Sequence, residues 1–380
     1  MPTDVSAFKD AYKTAIGANF PETVKITFGN QETELRKVPY DLRYGTNPHQ
    51  PFAAYFPIGS PLCIGNLELL KGGKAGLSLT NLQDMSQALN VLKYFSKPAC
   101  VAMKHLNPCG FKVTTNDETT AELYRLSRMC DERSHFGAVV GFNSFVDKQT
   151  AEEIMQSFVE CVIAPHYSNE ALEILKRNEG TRKLNNSIRV AKYDYDAFKN
   201  LPKFRRDNLS NGLWNIRTLA DGTMTFEVPY LTQIEITGDF ITDPMVQDSN
   251  GAHIAETIPT QQQLQDGLTA WYLNINVRSN GIVFVKNGQA LSVGTGQQER
   301  IGAVEQAIQK ARREKHSLEG SVMSSDAFFP SRDCIDAVAA EGVKAVVWPA
   351  GSIKDAEIID AANEYGIALL ATLERCFAHF

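Results

Sequence analysis

Two residues able to share acid–base chemistry, Lys104 and His105, stand side by side where an apolar run ends. That run, residues 99–103, is typical of a buried strand. The sequence Asn-Pro-Cys-Gly at 107–110 follows almost at once and predicts a turn. Because ligands bind where strands end in open α/β sheets, the pair occupies a position at which a functional site is expected.

The chemistry of this pair depends on the two side chains being neighbours. The charge of Lys104 disfavours a second positive charge beside it, so the imidazole of His105 is expected to remain a free base near neutral pH. Adjacent residues of an extended strand point to opposite faces, and both therefore serve one site only if the chain turns here. Taken alone, the pair also fits a solvated strand end without a chemical role.

Two loops add further candidate residues. Residues 42–50 are polar, rich in turn-forming residues and without periodicity. They bring an arginine, a tyrosine, an amide and a histidine close together in sequence, and residues of these types are typical of a loop that binds a ligand. A loop of this kind more often only connects two elements. Residues 294–300 open a predicted helix, where backbone N–H groups can face an anion; a simple tight turn is the alternative.

The elements around the Lys104–His105 pair predict an α/β sheet. A helix is expected over 80–92 with Thr80 as its cap, and its apolar face comprises Leu82, Met85, Leu89 and Leu92. Helices and strands then alternate: a helix over 118–129, a strand over 134–141, a helix from a capping box at Thr150 to Val159, a strand over 161–165 and a helix over 169–177. This alternation favours a parallel sheet.

The chain also contains two predicted hairpins and a second α/β region. One hairpin follows a helix within residues 1–40, and the other spans 281–293, where Asn287-Gly288 suits a tight primed turn. Helices are expected after 300, from 324–333 onward and over 355–365, with strands over 345–348 and 367–371. Both halves thus contain parallel α/β pieces, which permits an internal duplication, although no clear sequence repeat supports one.

Length and the loss of this alternation suggest the domain organisation. A chain of 380 residues favours two domains, here 1–200 and 201–380. Residues from about 180 to 260 do not show the alternation of helices and strands and are interpreted as a connecting region. Its basic residues are predicted to form solvated surface: Arg182, Lys183, Arg189, Lys192, Lys199, Lys203, Arg205 and Arg206.

Composition excludes several classes of function. The net charge of −6 argues against general affinity for nucleic acid or for an anionic membrane. No apolar run approaches a membrane span, and the amphipathic start lacks the apolar core of a signal peptide. The seven cysteines include no Cys-x-x-Cys pair, which favours reduced thiols and a cytoplasmic location.

Taken together, motifs spread over residues 43–377 resemble those of the aminoimidazole carboxamide ribonucleotide (AICAR) transformylases of purine synthesis. They occur in order along the chain: Arg43-Tyr-Gly-Thr-Asn-Pro-His-Gln50, Lys104-His-Leu-Asn-Pro-Cys-Gly110, Phe136-Gly137, Ser279-Asn280, Lys286-Asn-Gly-Gln289, Gly296-Gln-Gln-Glu-Arg300, Ser324-Ser-Asp-Ala-Phe-Phe-Pro330 and Gly351-Ser352. Many matches in order are far more specific than any single one.

The resemblance implies a fold, an assembly and a set of site residues. It implies two cytidine-deaminase-like α/β/α halves with mixed sheets, joined by a connecting region, and a homodimer whose active sites form between subunits. The residues implied to hold the nucleotide are Arg43, Tyr44, His105, Gly137, Glu160, Asn280, Arg300 and Arg375. Those implied to line the pocket of 10-formyltetrahydrofolate, the co-substrate, are Ile301, Phe328, Asp333 and Ser352.

The sequence departs from the family pattern at three places. Glu160 stands where vertebrate members have an aspartate, and Leu79 stands where a tyrosine is usual. The third expected departure is that the family's usual N-terminal IMP cyclohydrolase domain is lacking. The implied product is therefore formyl-AICAR, with a separate cyclohydrolase acting on it.

In the implied reaction His105 is the general base that deprotonates the amine of AICAR, and Lys104 stabilises the charge on the formyl oxygen. Two alternatives come from other classes. A zinc deaminase would use His105 and Cys109, but a zinc site needs further cysteines at short spacing. The sequence has no Cys-x-x-Cys pair, so no zinc is expected. A non-catalytic nucleotide-binding subunit would not need Lys104-His105 intact, and both are present.

Overall fold

The computed structural model describes residues 19–59, 62–73, 75–177, 185–207 and 215–379. The helix expected at the start of the chain lies outside these residues, as do Arg182 and Lys183. The chain divides into two compact units, Met1–Lys199 and Asn200–Phe380, called here the first and second unit. Both contain mixed sheets and helices, so the α/β class is confirmed.

The first unit contains a small antiparallel sheet and a larger mixed sheet. Its strands are β1 (Thr23–Phe28), β2 (Gln31–Lys37), β3 (Tyr55–Pro57), β4 (Glu68–Lys71), β5 (Ala99–Lys104), β6 (Asn107–Val113), β7 (Ala138–Phe142), β8 (Phe145–Val146), β9 (Val159–Ala164), β10 (His166–Tyr167) and β11 (Arg189–Lys192). Strands β1 and β2 form the hairpin expected near the start of the chain. In the larger sheet of this unit the order is β6-β5-β7-β9-β11-β4.

The larger sheet is mixed, so the expectation of a parallel sheet is only partly correct. Strands β7, β9 and β11 run parallel. Strand β5 is antiparallel to both of its neighbours, β6 and β7. A two-residue connection can join only antiparallel strands, and this is how β5 joins β6.

Helices cover this sheet, and two of their starts differ from expectation. They are α1 (Leu79–Leu92), α2 (Thr120–Met129), α3 (Glu132–His135), α4 (Lys148–Ile154), α5 (Asn169–Lys176) and α6 (Tyr195–Lys199). Ser78, not Thr80, caps α1, because Ser78 and Asn81 exchange side-chain to backbone hydrogen bonds. Asp147, not Thr150, caps α4, which ends before Val159 because that residue begins β9.

The core of the first unit lies between this sheet and its helices. The four apolar residues predicted to form one face of α1 are all buried: Leu82, Met85, Leu89 and Leu92. Burying such a side chain stabilises the fold by about 1.5–3 kcal/mol. Helix α1 is therefore firmly seated, which matters because it also carries polar residues that reach the candidate site.

Within the second unit five strands pair side by side in the order β20-β19-β18-β16-β17, with mixed directions, and two small hairpins are also present. Its strands are β12 (Asn215–Thr218), β13 (Met224–Glu227), β14 (Met245–Asp248), β15 (Gly251–Ile254), β16 (Ile282–Lys286), β17 (Gln289–Gly294), β18 (Val322–Ser325), β19 (Ala345–Trp348) and β20 (Ala368–Ala371). Its helices are α7 (Gln261–Asn274), α8 (Arg300–Arg313), α9 (Asp333–Ala340) and α10 (Asp355–Tyr365).

Considered separately, the two units follow the same order of elements. In each, a capped helix leads into a two-stranded hairpin, α1 into β5–β6 and α7 into β16–β17. The first strand of the hairpin pairs antiparallel with a strand that begins a parallel run, β7 in one unit and β18 in the other. The predicted turn at Asn287-Gly288 is confirmed, since both residues have positive φ.

Candidate active site

The Lys104–His105 pair lies at the tip of the β5–β6 hairpin. Lys104 pairs with Asn107, so His105 and Leu106 alone make the turn, with φ values of 53° and 68°. The expected turn at 107–110 is wrong, because those residues belong to β6. The chain nevertheless turns immediately after Lys104, which meets the condition for both side chains to serve one site.

Two backbone carbonyls hold the ammonium group of Lys104. Its Nζ donates to the carbonyl oxygens of Phe136 and Gly137, each at 2.9 Å. Gly137 has φ +74°, and a Cβ there would lie 3.1 Å from this Nζ and 3.1 Å from Phe158 Cε1. Glycine at 137 is therefore required both by its backbone conformation and by the closeness of the lysine. Lys104 is half-buried, whereas His105 is exposed.

Asp84 of helix α1 supports this turn and was not identified from the sequence. Its carboxylate is buried, and Oδ1 accepts the Leu106 N–H at 2.7 Å. Burial raises the pKa of Asp84, opposed by the N–H groups of Leu106 and His105 and by nearby positive charge. The available signal was the position of an acidic residue beside the apolar face of a predicted helix.

Two arginines and one glutamate form a second part of the site. Glu160 Oε1 accepts from Arg43 Nη2 at 3.1 Å and from Arg189 Nη1 at 3.3 Å. Asn81 completes the group, accepting from Arg43 at 3.2 Å and donating to Glu160 at 3.2 Å. Burial and the charge of Arg189 lower the pKa of Arg43. Two guanidinium groups and one carboxylate leave a net positive charge that favours an anionic ligand.

Arg189 corrects a prediction made from the sequence. It was expected to be solvated, but it lies on β11 with only 3% of its surface exposed. Its Nε donates to the carbonyl of Gly76 at 2.7 Å, and its other end reaches Glu160. The arginine is buried because these acceptors pair with it, an arrangement that a count of basic residues cannot show.

The loop 42–50 begins with a well-anchored segment. Arg43 N–H donates to the Leu77 carbonyl at 2.9 Å, and the Tyr44 carbonyl accepts from Leu79 N at 3.0 Å. The start of the loop is thus fixed against the start of α1. The Arg43 Cζ lies 4.6 Å from the centroid of the buried Tyr44 ring, a cation–π contact. Arg43, Tyr44 and Glu160 are therefore brought together.

In the second unit, Asp326 binds Arg300, one of the residues proposed for nucleotide binding, and both chain neighbours of another, Asn280. Its fully buried carboxylate accepts from Arg300 Nη1, from Ser279 Oγ and, at 2.9 Å, from Gly281 N. Asn280 lies between the last two, and its Nδ2 donates to the Gln298 carbonyl at 3.0 Å. Asp326 belongs to the motif at residues 324–330, but the sequence did not indicate that it pairs with Arg300.

Arg375 and Arg300 both lie near the ring of Phe377. The Arg375 Cζ lies 4.8 Å from the ring centroid of Phe377, and Arg300 Cζ lies 5.9 Å from that centroid. Both guanidinium groups are thus near one ring, in cation–π range. The second unit therefore brings Asn280, Arg300 and Arg375 into one region.

The four residues proposed for folate binding are less clearly grouped. Ile301 follows Arg300 in α8, and Phe328 is 41% exposed. Asp333 begins α9, and the N–H of Ser352 donates to Asp355 Oδ2 at 3.0 Å. Within the described ranges, no hydrogen bond or ring contact joins Phe328, Asp333 and Ser352 to one another. Their shared pocket stays a prediction.

The described part of the chain contains neither a metal-binding cluster nor a membrane-spanning helix. No group of three or more histidine, cysteine, aspartate or glutamate residues there is arranged to hold a metal ion. The described helices include none with the length and apolar character needed to cross a bilayer.

Comparison with known proteins identifies the family. The model of the AICARFT/IMPCHase bienzyme family matches residues 4–310, and the chain belongs to that family. The bifunctional purine biosynthesis protein PurH of Anoxybacillus flavithermus is 36% identical over 365 residues, covering 96% of this chain and 62% of that protein. PurH of Dictyostelium discoideum is 33% identical over 378 residues, covering 99% of this chain and 62% of that protein. The chain therefore spans less than two thirds of the length of these relatives.

One solved structure is similar over a short region. The dCMP deaminase of the cyanophage S-TIM5 matches 30% of this chain and 99% of that chain, with 21% sequence identity and a TM-score of 0.23. At that score the similarity supports no conclusion about fold or chemistry.

Proposed function

We propose that this chain is an AICAR formyltransferase, which moves the formyl group of 10-formyltetrahydrofolate to the 5-amino group of AICAR. The products are formyl-AICAR and tetrahydrofolate. The observation that carries the proposal is the β5–β6 tip, where a lysine held by two carbonyls adjoins an exposed histidine. Membership in the AICARFT/IMPCHase family supports the same chemistry.

The exposed imidazole of His105 suits a general base. The amine of AICAR is a weak nucleophile because its lone pair is delocalised into the ring and the carboxamide. His105 removes its proton as nitrogen attacks the formyl carbon, a contribution of roughly 10²–10⁴ in rate. Collapse of the tetrahedral intermediate breaks the bond to N10, and protonated His105 is the proposed donor of a proton to tetrahydrofolate.

The arrangement of Lys104 suits stabilisation of the oxyanion. An ammonium group has three N–H donors, and two of them are directed at Phe136 and Gly137. Within the described part of the chain the third remains for the developing formyl oxyanion. A donor of this kind, fixed before the reaction, is worth on the order of 3 kcal/mol.

The charged clusters suit the nucleotide. The net positive group formed by Arg43, Arg189 and Glu160 is complementary to an anionic substrate. The proposed nucleotide contacts comprise that group's Arg43 and Glu160 with Tyr44, Gly137, Asn280, Arg300 and Arg375. The proposed folate contacts are Ile301, Phe328, Asp333 and Ser352. The proposal includes a homodimer with shared active sites and a separate IMP cyclohydrolase that consumes the product.

The test combines AICAR with 10-formyltetrahydrofolate and follows tetrahydrofolate release by absorbance. Lys104→Met should lower kcat by about 10²-fold. His105→Ala should abolish turnover while AICAR affinity stays within about tenfold, because one lost contact costs about 1.4 kcal/mol. Lys286→Met is the matched control, since this lysine ends β16 as Lys104 ends β5, and kcat should stay within about threefold.

Near-normal rates for both the Lys104 and the His105 variants would refute the proposed site. The restriction to formyl transfer stays a prediction that the same reaction mixture tests. Chromatographic detection of IMP formed as fast as formyl transfer would contradict it.

A further inference from the structure

The turn that carries His105 has a backbone shape that its own residues disfavour. His105 and Leu106 both have positive φ, at 53° and 68°, in a two-residue hairpin connection. Connections with this conformation at both positions favour Asn-Gly, because a Cβ is crowded in the left-handed region. A histidine followed by a leucine therefore needs support from outside the turn.

Asp84 gives that support from the buried side. Its Oδ1 accepts the Leu106 N–H at 2.7 Å, and the N–H of His105 interacts with the same carboxylate. On the other side, the Asn107 amide donates to the His105 carbonyl at 3.0 Å. Asp84 itself is fixed because it belongs to α1 and is only 8% exposed.

The second unit contains the same arrangement without a histidine. Asp266 of α7 is buried and accepts the N–H groups of Asn287 at 2.9 Å and Gly288 at 2.7 Å. In both units the aspartate is the sixth residue of its helix and lies 21 residues before the first turn residue. The Asn287-Gly288 turn adopts positive φ readily and needs its aspartate less.

The lysine is held in a similar way in both units and does not depend on the aspartate. Lys286 Nζ donates to the Glu319 carbonyl at 2.6 Å, just before Gly320 at φ +72°. Lys104 likewise binds carbonyls at and before Gly137. What distinguishes the first unit is the imidazole and the disfavoured turn that presents it.

We propose that Asp84 is a positioning residue for His105. By binding the N–H groups of the His105–Leu106 turn, its carboxylate holds the backbone that bears the imidazole in one conformation, and so fixes the direction in which the side chain leaves the turn. The effect on turnover rests on the proposed formyl transfer, whereas the effect on the orientation of the ring does not.

The experiment compares Asp84→Ala and Asp84→Asn with the matched control Asp266→Ala. Formyl transfer is measured alongside ¹⁵N-histidine NMR, with the His105 signals assigned from His105→Ala. Asp84→Ala should lower kcat by about 30-fold or more with the KM for AICAR within about threefold, because misorientation affects the reaction more than binding. Asp84→Asn should lose less, since its amide oxygen still accepts one N–H.

The NMR signals of His105 should broaden or move in Asp84→Ala and remain unchanged in Asp266→Ala. If Asp84→Ala does not fold, Asp84→Asn carries the test.

The proposal is overturned if the folded Asp84 variants keep the wild-type kcat, or if kcat falls while the His105 signals stay in place. If the wild-type chain transfers no formyl group but the His105 signals move only in the Asp84 variants, the positioning role stands and the proposed function falls.

Discussion

His135 should make the first unit sensitive to mild acid. The ring is 2% exposed, lies edge-on to Tyr124 with centroids 5.5 Å apart, and its Nε2 has no hydrogen-bond partner among the described residues. Burial lowers its pKa from 6.5 to about 3, with further lowering by the charges of Arg128 and Lys104. The folded protein therefore keeps this imidazole neutral at pH values where the unfolded chain protonates it.

The size of the effect follows from proton linkage. A histidine whose pKa is depressed by folding contributes its full stability above 6.5 and loses it as the pH falls toward 3. In that window each pH unit below the ordinary pKa costs about 1.4 kcal/mol. Between about pH 7.5 and about pH 5 the first unit should therefore lose about 2 kcal/mol through His135 alone.

The assay measures urea unfolding at these two pH values by pulse hydrogen exchange of peptides from β7 and β9, which reports the first unit alone. His135→Leu removes the buried imidazole. The free energy of unfolding of this variant should therefore fall between the two pH values by about 2 kcal/mol less than that of the wild type. His49→Leu, at an exposed loop position, should behave as wild type. Equal acid sensitivity of wild type and His135→Leu would refute the reasoning.

Two further predictions concern the site. Gly137→Ala places a methyl group 3.1 Å from the Lys104 Nζ on a backbone at φ +74°, and should lower kcat about tenfold. Gly320→Ala is its control. An unchanged kcat in Gly137→Ala would contradict the role proposed for the lysine. Arg189→Met removes one of two guanidinium groups and should raise the KM for AICAR about tenfold. Arg189→Lys should raise this KM less. If both variants keep the wild-type KM, Arg189 does not contribute to anion binding.

The sequence was sufficient to locate the central pair and much of its scaffold. An apolar run ending at Lys104-His105 predicted a strand end, and β5 ends at Lys104. The apolar spacing of α1 predicted its buried face, because helical periodicity directly reflects burial. The Asn287-Gly288 turn was predictable because its residue types fit its backbone conformation.

What the sequence did not reveal depends on tertiary partners. The true turn at His105–Leu106 is locally disfavoured, and the nearby Asn-Pro-Cys-Gly at 107–110 gave the stronger local signal. Arg189 and Asp84 are charged residues whose burial is possible only because distant groups pair with them. No local rule of propensity identifies such partners.

Helix α1 explains why the two charged parts of the first unit should act together. Asn81 and Asp84 are three residues apart on it and so share one face. Asn81 bonds to Arg43 and Glu160, whereas Asp84 holds the turn that bears His105. Because the apolar side of the helix is buried, the separation between the arginine–glutamate group and the imidazole is set by one rigid element. A misplacement of about 1 Å can slow a reaction that depends on positioning by about 10²-fold. Under the proposed function we therefore expect this helix to influence the rate without itself supplying a catalytic group.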